Sequence, residues 1–128
     1  MEVLLIDDNK EITEMISFFL DSQGILCEVE NDAKKALEKI NEKQYDVILL
    51  DLTMPVFSGF DLFNKLKKEN DIRKNNIVIF TASYIEQEKI DNMIKEGIKA
   101  IIRKPISIDS IINTINQFKS DNKNKIKL

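Results

Sequence analysis

Residues 46–55, DVILLDLTMP, run four apolar residues, Val47 to Leu50, straight into the carboxylate of Asp51 and then turn at Met54 and Pro55. A run this apolar and this short reads as a strand buried on both faces, so the charge at its end needs a reason. The same pattern stands near the start, where Val3 to Ile6 lead into the adjacent acids Asp7 and Asp8. Ile77 to Phe80 and Ala100 to Ile102 are two further runs of the kind, and Leu26 to Val29 is a weaker one. All but the last are expected as strands with both faces covered.

Between these runs the apolar period changes to that of a helix. Ile12, Met15, Ile16, Phe19 and Leu20 are spaced to cover one helical face, with Phe18 off it, and Ala33, Ala36, Leu37 and Ile40 repeat the pattern. Leu62, Phe63 and Leu66 form a third stripe, Ile90, Met93 and Ile94 a fourth, and Ile108, Ile111, Ile112, Ile115 and Phe118 a fifth. Gly24 and Gly97 follow helical patterns, where a left-handed residue ends a helix. Asp32, Ser58 and Ser107 stand where N-caps belong. Strict alternation of strand and helix implies parallel strands joined by right-handed crossovers, hence a doubly wound α/β fold. Residues 1–119 are expected to form this one domain, and residues 120–128, which lack an apolar period, a polar tail or the start of a linker.

Composition narrows the chemistry. The chain has 128 residues, room for one layered core. It is 43% hydrophobic and 32% charged, and no apolar run approaches the roughly 18 residues of a membrane span. A net charge of −3 gives nucleic acid little to hold. The N-terminal MEVLLIDDNK lacks the basic region and small-residue cleavage site of a signal peptide, so a cytoplasmic protein is expected. Cys27, the single cysteine, lies within the weak strand and reads as a small core residue. Histidine is absent, which removes imidazole as general base, metal ligand or phosphate carrier, and any metal must be held by oxygen. With three glycines in the chain, the glycine-rich phosphate loops are missing too.

In a doubly wound sheet the C-terminal strand ends share one edge, and ligands bind in the crevice there. Asp7 and Asp8 follow the first strand, Asp51 the third, Thr81 the fourth and Lys104 the fifth. Singly, each would be the start of a solvated loop; together they make three acids, a hydroxyl and a lysine at one place. Carboxylates crowded to 4 Å repel by about 4 kcal/mol per pair at an effective dielectric near 20, so positive charge must sit among them. Lys104 offers one charge and a hard divalent cation two more, of which Mg2+ fits best because it accepts few protein ligands and keeps its waters. A carboxylate beside such charge is suited to attack phosphorus, and Asp51, central among the strands, is the expected nucleophile.

LLIDDN, VILLDLTMPVFSG, IVIFTAS and RKPI, in this order, resemble the motifs of the receiver domain of two-component response regulators, over Glu2 to about Phe118. The most specific is the Asp-x-x-Met-Pro-x-x-x-Gly pattern of Asp51 to Gly59. The resemblance implies a flavodoxin-like five-stranded sheet of order 2-1-3-4-5 and an Asp51 that accepts phosphoryl from a sensor histidine kinase, a phosphotransfer protein or acetyl phosphate. It implies Mg2+ bound by the side chains of Asp8 and Asp51 and the carbonyl of Thr53, with Asp7 holding a metal-bound water. Lys104 would contact the phosphoryl group across a cis bond to Pro105, and Thr81 would turn inward on phosphorylation. A switched face of the fourth helix, fifth strand and fifth helix would meet an output protein or a second copy.

This sequence departs from the family where receivers carry Tyr or Phe three residues before the lysine, because Ile101 stands there. The readout is therefore expected in the loop ASYIEQ, through Tyr84 and Ile85. Two rival readings are weaker. A phosphatase of the haloacid dehalogenase type would carry a second acid at Thr53 and its paired acids last, and a receiver-like binding module without phosphorylation would lack one of the acids, the threonine or the lysine.

Overall fold

A computed structural model describes the chain except for residues 53–58, 70–74, 83, 106 and 128, and for residues 60, 69 and 119–127 it describes the backbone alone. The order is β1 (Glu2–Ile6), α1 (Lys10–Ser22), β2 (Leu26–Glu30), α2 (Ala33–Glu42), β3 (Val47–Asp51), α3 (Gly59–Glu69), β4 (Ile77–Thr81), α4 (Gln87–Glu96), β5 (Ala100–Arg103) and α5 (Ile108–Lys127). The strands form one parallel sheet in the order β2-β1-β3-β4-β5, as expected.

Alternation along the strands sends side chains to two cores. Leu4, Ile6, Ile48, Leu50, Ile77 and Ile79 face one core with residues of α2, α3 and α4. Val3, Leu5, Val47, Leu49, Val78 and Phe80 face the other with residues of α1 and α5. β1, β3 and β4 are therefore covered on both faces. β5 is not: Ala100 to Ile102 are half-buried, because β5 is an edge strand with one neighbour in the sheet.

The helices follow their stripes with two corrections. In α1 the buried residues are Thr13, Ile16 and Leu20, whereas Met15 and Phe19 are 47% and 40% exposed. The buried face is centred on the 13-16-20 line, so Met15 and Phe19 sit on its flank and a threonine takes an inner position. Ile94 of α4 is likewise about half exposed. Gly24 and Gly97 have positive φ as expected. Asp32 caps α2 by accepting from Lys34 N at 2.8 Å, and Ser107 Oγ accepts from Ser110 N at the start of α5. Ser58 lies outside the described residues. The helix of α5 runs on through the polar tail to Lys127, since adding residues to a helix already nucleated by packing costs little. Cys27 is half-buried against the second core, and burial pushes its thiol up to about 11, which favours the protonated form at neutral pH. Among the described residues no helix is long and apolar enough to cross a membrane.

Candidate functional site

β1 and β3 are neighbours whose following helices, α1 and α3, pack on opposite faces of the sheet. This leaves a crevice at their C-terminal ends, and the acids lie there. One carboxylate oxygen each from Asp7, Asp8 and Asp51 lies within 4.8 Å of the others. Asp51 is the last residue of β3 and almost fully buried; Asp7 is buried and Asp8 exposed.

Lys104 reaches the same point from β5. Its Nζ lies 3.0 Å from Asp7 Oδ2, 3.6 Å from Asp51 Oδ2 and 4.9 Å from the centre of the Phe80 ring. The peptide bond to Pro105 is cis, and the Lys104 N–H donates to the Thr81 carbonyl at 2.9 Å, which ties this turn to the end of β4. Thr81 is buried at that end. The structure thus brings Asp7, Asp8, Asp51, Thr81 and Lys104 to one sheet edge. Thr53 lies outside the described residues.

Asp7 is fully engaged. Its N–H donates to the Glu30 carbonyl at 3.2 Å, its carbonyl accepts from Asn31 Nδ2 at 2.7 Å, and its Oδ1 accepts from Asn9 N at 3.0 Å, while Oδ2 faces Lys104. Asp8 differs. Desolvation first, then a hydrogen bond with Asp7 and the Asp7 charge, hold its carboxyl above the usual carboxylate range, against weaker opposition from its own backbone and Lys104. Three acids stand against one ammonium, so negative charge is in excess. Oxygen donors, an excess of negative charge and one carboxylate open to water suit a hard cation such as Mg2+.

Three contributors escape a reading by residue type. Asn9 caps α1 by accepting from Ile12 N at 3.2 Å and also fixes Asp7. Gly59 opens α3 against the end of β3: a Cβ there would stand 2.1 Å from the Asp51 carbonyl oxygen and 2.5 Å from Leu52 Cα. That contact explains the glycine eight residues after Asp51. Asn31 follows β2, so the rule that found the acids, a polar residue just past each strand, would have found it had the weaker strand been given equal weight.

A family model for the response regulator receiver domain matches residues 3–116. The phosphate regulon transcriptional regulatory protein PhoB of Escherichia coli (strain K12) is 30% identical over 113 residues, which are 88% of this chain and 49% of that protein. The transcriptional regulatory protein CrdR of Helicobacter pylori is 24% identical over 120 residues, 94% of this chain and 55% of that protein. The chain spans about half the length of these curated relatives. Among solved structures, the receiver domain of the Francisella response regulator 1452 superposes with a TM-score of 0.82 at 34% identity, covering 94% of this chain and 98% of that one. The Vibrio cholerae chemotaxis protein CheY4 gives 0.79 at 26% identity, covering 91% and 97%. The match over nearly the whole chain and the shared strand order agree, and the chain belongs to the receiver domain family of two-component response regulators.

Proposed function

We propose that the chain is a phosphorylation-dependent switch in which Asp51 accepts a phosphoryl group from the phosphohistidine of a sensor histidine kinase or phosphotransfer protein, or from acetyl phosphate. One observation carries this reading: a nearly buried carboxylate at the end of the central strand has an ammonium at 3.6 Å and two more carboxylates within 4.8 Å. A carboxylate oxygen of Asp51 attacks phosphorus and forms a mixed anhydride. The bond from phosphorus to the donor breaks, and its electron pair leaves with the donor. Lys104, steadied by Asp7 and the Phe80 ring, neutralises a phosphoryl oxygen, and the Thr81 hydroxyl donates to another. Asp8 and Asp51, with the Thr53 carbonyl and with Asp7 in support, would hold Mg2+, which would supply further positive charge to the site.

The donor needs a landing surface beside Asp51. A cleft of about 260 Å³ between α1 and the start of α5 is lined by Ile12, Met15, Pro105 and Ile108, with Lys104 at its edge. Met15 and Phe18 extend this apolar area along α1. It suits the apolar face of a helical donor, and a cytoplasmic location follows from that partner. The face of α4, β5 and α5 is the proposed contact for an output protein or a second copy. Incubation with acetyl phosphate and Mg2+ followed by intact mass and peptide mapping tests the reading. A single phosphoryl adduct at Asp51, absent in Asp51→Asn, is expected; no adduct, or an equal one in Asp51→Asn, overturns it.

A further inference from the structure

We propose that Asn31, which carries no charge and lies on no functional motif, is a positioning residue that sets the acidic pair Asp7-Asp8 for its cation, an inference that rests on the magnesium site above. The argument begins with the connection after β1. Two adjacent acids at a strand end repel each other, and a loop free to turn would swing one away from Asp51. The chain prevents this by tying both backbone groups of Asp7 to the end of β2. The Asp7 N–H donates to Glu30 O, and the Asp7 carbonyl accepts from Asn31 Nδ2 at 2.7 Å. That carbonyl shares a peptide plane with the Asp8 N–H, so fixing it fixes the direction in which Asp8 leaves the strand.

The other hydrogen of the same amide goes to Thr13 Oγ1 at 3.2 Å, and Thr13 is buried inside α1. The Thr13 hydroxyl in turn donates to Lys10 O at 3.1 Å. Asn31 therefore bridges three elements, the ends of β1 and β2 and the first turns of α1. This explains both a threonine on the inner face of α1 and the need for a primary amide. An amide has two donor hydrogens and both are used; a hydroxyl has one. Outer supports of this sort hold metal ligands in place, and their loss typically weakens metal binding tenfold or more.

Titration calorimetry with Mg2+ alone tests the assignment on the intact chain. Asn31→Ala is expected to raise the Mg2+ Kd about tenfold, and Thr13→Val by less. The double variant should bind no more weakly than Asn31→Ala, because Thr13 acts through the amide. A merely structural role would lower the urea midpoint in chelator and leave Kd alone, so a folded Asn31→Ala with the parental Kd overturns the proposal, as would additive effects of the two substitutions. If Asn31→Ala does not fold, Asn31→Ser, with one donor left, should give an intermediate Kd, and the parental value would again overturn it. A parent that binds no Mg2+, or binds it equally well as Asp8→Ala, shows instead that the magnesium reading fails and takes this proposal with it.

Discussion

Asp7 and Asp8 are chain neighbours with opposite electrostatic fates. Asp7 is buried and partnered through every polar group, with Lys104 and Asn9 on its carboxylate. Asp8 is exposed, and desolvation together with Asp7 makes its carboxylate form costly. A cation at Asp8 removes that cost, so Mg2+ should stabilise the fold by RT ln(1 + [L]/Kd), about 1.4 kcal/mol at tenfold excess over Kd. Asp8→Ala should lose most of this gain in a thermal melt while leaving the metal-free midpoint at or above that of the parent, since a like charge is gone. A parental magnesium shift in Asp8→Ala would remove Asp8 from the ligand set. The two acids could be read from the sequence as a pair. Their division of labour could not, because it depends on Asn31 and Lys104, which are near Asp7 only once the chain has folded, and on the local turn that brings the Asn9 N–H onto its carboxylate.

The start of α3 stands close against the end of β3, and Gly59 makes that approach possible. Its missing Cβ would overlap backbone atoms of Asp51 and Leu52, which cannot rotate aside as a side chain can. Gly59→Ala should cost about 3 kcal/mol, the upper end of overpacking, as a lower urea midpoint. Near-parental stability would show that α3 can stand further from Asp51. A second test lies at the outer edge, where Tyr45, before β3, donates to Glu28 on β2 at 2.5 Å. That bond chiefly, helped by Lys39 and Lys43 and opposed by burial, holds the Glu28 carboxyl below its usual range. The stabilisation is present above the unfolded pKa of roughly 4.3 and is lost as pH falls through the lower folded value. Tyr45→Phe should therefore cost about 1 kcal/mol at neutral pH, discounted because Glu28 is partly exposed, and the gap to the parent should close in acid. A gap independent of pH would mean that the hydroxyl acts without the charge. Strands and helices were legible because apolar period reports burial; the inner Thr13 and the outer Met15 and Phe19 were not, because period alone fixes a face only to within a flank.

At the scale of the whole molecule, the two cores decide how a change at Asp51 can travel. Alternation puts Thr81 on the same side of β4 as Ile77 and Ile79, which is the side of α2, α3 and α4. Ile101, paired with Ile79, packs against that core, and so does Ile85 of the β4-α4 loop, 5% exposed, together with Met93 and Ile98. Tyr84 beside it is 82% exposed. Among the described residues of the loop, Ile85 is packed down and the Tyr84 ring is exposed, while Ile101, branched at Cβ and without a phenol, has no polar tip to swing between water and core. A phosphoryl group on Asp51 would draw the Thr81 hydroxyl with a charge-assisted hydrogen bond worth roughly 1.5 to 3 kcal/mol, enough to change the packing under this loop. Ile85 should then loosen, Tyr84 should change its exposure, and the face of α4, β5 and α5 should change with them. Hydrogen exchange with and without beryllofluoride, a phosphoryl mimic, should differ strongly over residues 82–87 and weakly around Ile101, and Thr81→Ala should suppress the difference. An unmoved loop would return the readout to β5, and a change that survives in Thr81→Ala would mean that the signal leaves Asp51 by another route.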